Sequence, residues 1–167
     1  NGEIKNYPVA ENLHKNGILY TSIMPANIPI IIQNRMYSMA REILMKMNFC
    51  GVLCVEFFLS EQGLFVNELA PRPHNSGHQT IEACTTSQFE QQVRISTSMS
   101  LGSVKLSYPA KIINILGDMW FDENQANSPV EPDWEIYKKK GLSIYLYGKK
   151  EPRRGRKMGH FTESFKD

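Results

Sequence analysis

Two carboxylates, Glu56 and Glu68, interrupt otherwise apolar runs, Val55-Glu56-Phe57-Phe58 and Val66-Asn67-Glu68-Leu69. Between them lies Glu61-Gln62-Gly63, a short polar turn ending in glycine. A three-residue hairpin loop puts its glycine at the left-handed position. Pairing Ser60 with Leu64 then sets Glu56 opposite Glu68, unless a bulge shifts the register by one. Directly opposed side chains on such a ribbon have Cβ atoms about 4.5–5.5 Å apart. Two like charges at that spacing destabilise a hairpin unless something positive lies between them. A hard divalent cation such as Mg2+, which takes oxygen ligands from one or two carboxylates plus substrate phosphates, suits the pair.

Just past the second carboxylate runs Ala70-Pro71-Arg72-Pro73-His74-Asn75-Ser76-Gly77. The two prolines stiffen the backbone and hold Arg72, His74 and Asn75 beside the glutamates. A guanidinium is a planar fork that matches carbonate, carboxylate or phosphate, and His and Asn add donors. The plainer alternative is that Arg72 only neutralises the two acids. A second cationic region lies near the C-terminus: Lys138, Lys139, Lys140, Lys149, Lys150, Arg153, Arg154, Arg156 and Lys157, with Glu151 the only acid among them. Over 149–157 glycines interleave with the charges, as in a loop that grips an anion, whereas 138–140 also fits a solvated face.

The elements that must carry these groups follow from periodicity and punctuation. Ile4 to Val9 and Ile18 to Met24 read as strands around Asn16-Gly17. Apolar residues at helical spacing from Ile30 to Met47 predict an amphipathic helix over about 29–48, its methionines filling core. The carboxylate hairpin follows, over 51–60 and 64–70. Thr80 to Ala83 is a short helical turn. Ser87 to Met99 is a helix, with Ser87 as N-cap and Glu90 completing a capping box. Beyond Leu101-Gly102, Ala110 to Leu116 is a strand, 124–132 a loop, and Asp133 to Lys139 a short helix stopped by Gly141. Ser143 to Tyr147 and Lys157 to Phe165 are the last strands. His14, His78 and His160 are expected to be structural, and Trp120 and Trp134 to pack a core.

The chain has 167 residues, 41% apolar and 22% charged, with a net charge of +2. These are the values of a globular domain or slightly more. No apolar run reaches the ~20 residues that span a bilayer, so no membrane partner is expected; a cytoplasmic location is expected. Cys50, Cys54 and Cys84 lack metal-ribbon or redox spacing and are expected to be buried free thiols. The fold class is α+β, divided into 1–103 and a small β-rich domain over 104–167. The first residue is Asn1 rather than Met, so a piece of something longer is expected.

The string from Asn67 to His78, with Gly51 to Phe58 before it and Ser87-Gln88-Phe89-Glu90-Gln91 after it, closely resembles the 5-(carboxyamino)imidazole ribonucleotide synthase family. This is the ATPase subunit of phosphoribosylaminoimidazole carboxylase, within the ATP-grasp superfamily. Tyr7-Pro8-Val9-Ala10-Glu11-Asn12-Leu13-His14, Leu146-Tyr147-Gly148-Lys149 and Pro152-Arg153-Arg154-Gly155-Arg156-Lys157-Met158-Gly159-His160 extend the likeness over nearly the whole chain.

The resemblance implies the C-terminal half of an ATP-grasp domain, an antiparallel sheet with helices, followed by the small domain. It implies a ligase that spends ATP to join bicarbonate to aminoimidazole ribonucleotide through carboxyphosphate, in purine synthesis. Glu56 and Glu68 would hold Mg2+ against ATP, with Asn67 beside them. Arg72, His74, Asn75 and Ser76 would hold bicarbonate or carboxyphosphate, and Lys149 and Arg156 would reach the ribonucleotide and the reacting anion. Arg72, His74, Asn75 and Lys149 are the expected catalytic residues, and the full-length protein is expected to be a homodimer. Ala70 stands where biotin carboxylase and many other relatives carry asparagine, and Asn75-Ser76 departs from the formate-using transformylase. No glycine-rich phosphate loop is present, so the chain alone is expected to be inactive. The alternatives are another ATP-grasp carboxylate–amine ligase, a scaffold fragment, or a nucleic-acid-binding module, for which no long basic helix or aromatic-studded basic sheet speaks.

Overall fold

The computed structural model describes residues 2–121 and 128–166. Along the chain run β1 (Glu11–Lys15), β2 (Ile18–Met24), α1 (Ile30–Met47), β3 (Cys54–Ser60) and β4 (Gly63–Ala70). A 3-10 turn (Asn75–Gly77), α2 (Thr80–Ala83), α3 (Gln88–Ser96) and β5 (Ala110–Leu116) follow. The chain continues through a second 3-10 turn (Gly117–Trp120), α4 (Trp134–Lys139), β6 (Ser143–Leu146) and β7 (Lys157–Ser164). The class is α+β, with wholly antiparallel pairing.

Five strands form one sheet in the order β1-β2-β5-β7-β6, and β3 and β4 form a separate ribbon. The larger sheet draws strands from both sides of residue 103, since β2 pairs with β5, Thr21 opposite Ile113. Its core gathers Ile115, Met158 and Phe161 against Trp120, Trp134, Tyr137 and Ile144. Tyr137 stacks on Phe161 at 4.7 Å. Full burial of one such side chain is worth about 1.5–3 kcal/mol.

Several expectations are corrected. Residues 4–9 join no sheet. Side chains hold this stretch instead: Lys5 Nζ donates to the Leu101 carbonyl at 3.0 Å and Tyr7 Oη to that of Thr86 at 2.9 Å. Helix α1 has the expected span, ended by Asn48 in the left-handed conformation. Its apolar face is open, however: only Met36 is buried, while Ile30, Ile31, Met45 and Met47 are exposed. Cys50 is exposed, Cys54 half-buried and Cys84 buried, all as free thiols. Helix α3 stops at Ser96, and only half of its capping box forms: Ser87 Oγ accepts from the Glu90 N–H at 3.1 Å, but the Glu90 carboxylate turns to Arg94 at 2.8 Å. Residues 124–127 of the expected loop lie outside the described residues.

Candidate active site

The ribbon reaches its predicted outcome by an unpredicted route. Its loop has two residues, not three, because Ser60 pairs with Gly63. That register carries Phe57 to Val66 and would set Glu56 opposite Asn67. A bulge between Glu56 and Phe57 restores the lost residue and makes Glu56 the cross-strand partner of Glu68. Cross-strand partners share a face, so both carboxylates lie on one side. Bulges commonly re-aim a side chain in this way. Asn67, the extra residue, lines the same cleft as Glu56, a space of about 1330 Å³.

Neither carboxylate has a standing counter-charge. Glu68 makes no ion pair among the described residues. Glu56 Oε1 lies 3.6 Å from His74 Nδ1. That contact is not an ion pair at neutral pH, because burial holds the His74 ring below its usual range, more than Glu56 raises it. Ser76 Oγ, 2.9 Å from Nδ1, takes the hydrogen-bonding position. Two opposed carboxylates, Glu56 half-buried and Glu68 exposed, without a fixed cation are a donor set that fits a hard divalent metal.

Arg72 is exposed and makes no ion pair with either glutamate, so it is not merely their neutraliser. Its Nη1 donates to the Pro73 carbonyl at 3.0 Å, which leaves most of the fork free. Its charge still reaches the site: with Glu56, Glu68 and Lys157 it acts on the His74 ring. Asn75 turns partly inward. Its Nδ2 donates to Asn114 Oδ1 at 3.1 Å, and Asn114 in turn donates to the Leu19 carbonyl. Asn75 Oδ1 is buried without a partner. Ser76 is buried, its carbonyl accepting from Ser22 Oγ at 3.0 Å.

The C-terminal cations divide. Lys149 Nζ donates to the Lys157 carbonyl at 2.6 Å, which brings it to the start of β7. Arg156 Nη1 is spent on the Glu151 carbonyl at 2.6 Å, within its own loop. That loop is tied to the second 3-10 turn: Asp118 Oδ2 accepts from the Gly155 N–H at 2.6 Å, and the Gly117 N–H donates to the Arg156 carbonyl at 2.8 Å.

Three residues of the site escaped sequence reasoning as site members. Lys157 is half-buried; burial lowers its pKa below the usual lysine range, opposed by Glu56 and Glu68. Its sequence signal was only membership of a basic run. Gln88 sits behind His74, and no pattern in an N-terminal helical turn marks it. Cys54 shares the Glu56 face two residues earlier, and burial pushes its thiol up to about 11. His78 and His160 lie behind this group with rings 4.7 Å apart, and burial lowers them to about 4 and about 3.

A model of the ATP-grasp domain matches residues 1–89, and one of the phosphoribosylaminoimidazole carboxylase C-terminal domain matches residues 110–167. The chain is 47% identical over 163 residues to N5-carboxyaminoimidazole ribonucleotide synthase of Bacillus subtilis, covering 97% of this chain and 40% of that protein. It is 41% identical over 165 residues to the protein of the same name from a Staphylococcus aureus strain, 97% of this chain and 41% of that one. Among solved structures, an ADP complex of N5-carboxyaminoimidazole ribonucleotide synthetase superposes with a TM-score of 0.84 at 39% identity, over 98% of this chain and 41% of that one. The Aspergillus clavatus synthase, in complex with ADP and 5-aminoimidazole ribonucleotide, gives 0.79 at 31%, over 95% and 42%. The chain thus spans about two fifths of the relatives it matches. Among the described residues no helix is long and apolar enough to cross a membrane.

Proposed function

Because the chain belongs to the ATP-grasp family, we propose that it supplies the carboxylate and anion-binding part of an ATP-dependent carbon–nitrogen ligase acting on aminoimidazole ribonucleotide and bicarbonate. In the net reaction the amine of the ribonucleotide gains a carboxyl group from bicarbonate. ATP takes up the displaced oxygen, leaving as ADP and phosphate, with carboxyphosphate between.

The observation that carries this reading is the unneutralised Glu56–Glu68 pair facing the cationic groups Arg72, Lys157 and Lys149. In this proposal Glu56 and Glu68 hold Mg2+ and Asn67 stands beside them toward the nucleotide. The metal supplies charge neutralisation at the phosphates. Phosphoryl transfer depends mainly on positioning and charge neutralisation. Arg72, with most of its fork free, binds the small anion. His74, neutral and held through Ser76, offers its ring rather than a charge. Asn75 keeps one N–H for the anion. Lys149, in the loop before β7 and anchored to its first carbonyl, reaches the anion, and Arg156 reaches the ribonucleotide once released from the Glu151 carbonyl. The same cationic groups make a nucleic-acid role superfluous.

The test is bicarbonate-dependent ATP hydrolysis by the full-length protein, stimulated by aminoimidazole ribonucleotide. Glu68→Gln is expected to abolish it. Normal turnover in that variant overturns the metal assignment, and hydrolysis indifferent to the ribonucleotide points instead to another carboxylate–amine ligase.

A further inference from the structure

Cys54, Glu56 and His74 place one sulfur, one oxygen and one nitrogen donor within 4.8 Å of one another. Cys54 and Glu56 are two residues apart on β3 and so share its face. His74 comes from the proline-stiffened segment after β4. All three line the cleft, so an ion has a path to them. Zinc bonds sulfur at about 2.3 Å and nitrogen or oxygen at about 2.0–2.2 Å, so its tetrahedral nitrogen and oxygen ligands lie roughly 3.4 Å apart. Glu56 Oε1 and His74 Nδ1 are 3.6 Å apart. Ser76 Oγ borders the group, 2.9 Å from His74 Nδ1 and 3.6 Å from Cys54 Sγ. A small shift of the three donors toward one another encloses an ion, with water or the Ser76 hydroxyl as fourth ligand.

We propose that Cys54, Glu56 and His74 form a seat for a thiophilic divalent cation, typified by zinc, distinct in its donors from the all-oxygen seat of Glu56 and Glu68. Magnesium takes oxygen donors, whereas thiolate and imidazole select zinc and its neighbours. The cation displaces the Cys54 thiol proton to solvent and leaves the thiolate as ligand. The two seats share the Glu56 carboxylate, so a cation in one competes for it with a cation in the other. A soft metal therefore withdraws Glu56 from the oxygen seat and fixes the His74 ring. Binding itself stands apart from the functional reading; only the consequence, inhibition by zinc in competition with magnesium, rests on it.

Cobalt reports the site without turnover. Titrating Co2+ into the full-length protein in the absence of nucleotide is expected to give a near-ultraviolet thiolate-to-cobalt charge-transfer band. Zinc should displace it. The band should vanish in Cys54→Ser and persist in Cys50→Ser, which removes the exposed thiol. Zinc-edge X-ray absorption of the unsubstituted protein should show one sulfur at about 2.3 Å with nitrogen or oxygen neighbours, a measurement that needs no variant to fold. In turnover assays Cys54→Ser should tolerate at least tenfold more zinc. Absence of the band and of sulfur scattering overturns the proposal, as does a band lost in Cys50→Ser but kept in Cys54→Ser. A cobalt band together with unimpaired Glu68→Gln turnover would refute the functional reading and leave the soft-metal seat standing.

Discussion

Gln88 closes both backbone hydrogen-bonding groups of His74: its Oε1 accepts from the His74 N–H at 2.8 Å, and its Nε2 donates to the His74 carbonyl at 2.8 Å. The same Nε2 lies 2.9 Å from His78 Nδ1, within reach of its second hydrogen. One buried amide thus fixes the segment that carries the ring beside Glu56. Gly77 is part of the fit, since a Cβ there would come within 2.9 Å of Gln88 Oε1.

Gln88→Leu should therefore misplace His74 while leaving the Glu56, Glu68 and Arg72 side chains unchanged. The His74 N–H and His78 Nδ1 lose their partner, while the His74 carbonyl keeps the Gly77 N–H at 3.0 Å; each group left dry costs about 1–3 kcal/mol. A fall of about 2 kcal/mol in urea unfolding is expected, together with a bicarbonate KM raised by about tenfold. A variant with unchanged bicarbonate KM would show that the clamp serves stability alone.

The anchoring of the basic loop makes a second expectation. A Cβ on Gly117 would fall on the Arg153 carbonyl oxygen, backbone against backbone. Gly117→Ala must therefore push the loop off the 3-10 turn. Overpacking of this kind costs about 1–3 kcal/mol. Thermal unfolding should shift down accordingly, and a wild-type melting temperature in the variant would refute the close approach.

Asp118→Ala removes the acceptor of the Gly155 N–H without adding bulk. A hydrogen bond to a charged group is worth about 1.5–3 kcal/mol, and this one is only part-buried, so about 1 kcal/mol is expected. Lys149 and Lys157 flank the loosened segment. The KM for the ribonucleotide should rise by several-fold with little change in kcat for hydrolysis at saturation; unchanged ribonucleotide KM would dissociate the loop from substrate binding.

Stability should fall on acidification through His78 and His160. Their native pKa values lie at about 4 and about 3, against 6.5 for the free side chain, with burial the main cause. His160 is 2% exposed, its Nδ1 paired with Tyr147 Oη at 2.9 Å and its Nε2 unpartnered. Below about pH 6.5 the unfolded chain binds protons that the native rings refuse. Their contribution is thus whole above that pH and lost progressively toward pH 4 and 3. Each histidine costs up to about 1.4 kcal/mol per pH unit in that window. Urea midpoints should drop between about pH 7 and about pH 5, with a shallower slope in His160→Gln. Equal slopes in the two proteins would refute the assignment to that ring.

What the sequence disclosed follows the physics of each signal. Opposed carboxylates in an apolar ribbon are costly, so Glu56 and Glu68 stood out, and their pairing survives although the loop is one residue shorter than its glycine suggested. The cap Ser87 acts over three residues, so it marks the start of α3 well, whereas Asp133, expected as the first helical residue, is the cap of α4. Residues 4–9 failed because alternation alone does not supply a neighbouring strand; Ala26 meets only Val9, through one backbone bond at 2.7 Å. Lys157 and Gln88 are long-range partners of the hairpin and its following turn. Nothing local to 157 or 88 reports what folds against them.

A regular ladder hands each face of a ribbon every second residue only. The extra residue at Asn67 breaks that parity, so Asn67 lines the cleft with Glu56 although its neighbour Glu68 is the residue paired across from Glu56. A straight version of β4, one amino acid shorter at its waist, would keep the acidic couple and forfeit the amide. Alterations at the tip, Glu61-Gln62, carry no such penalty. The waist of the ribbon, rather than its end, is therefore where a length change in this chain would register.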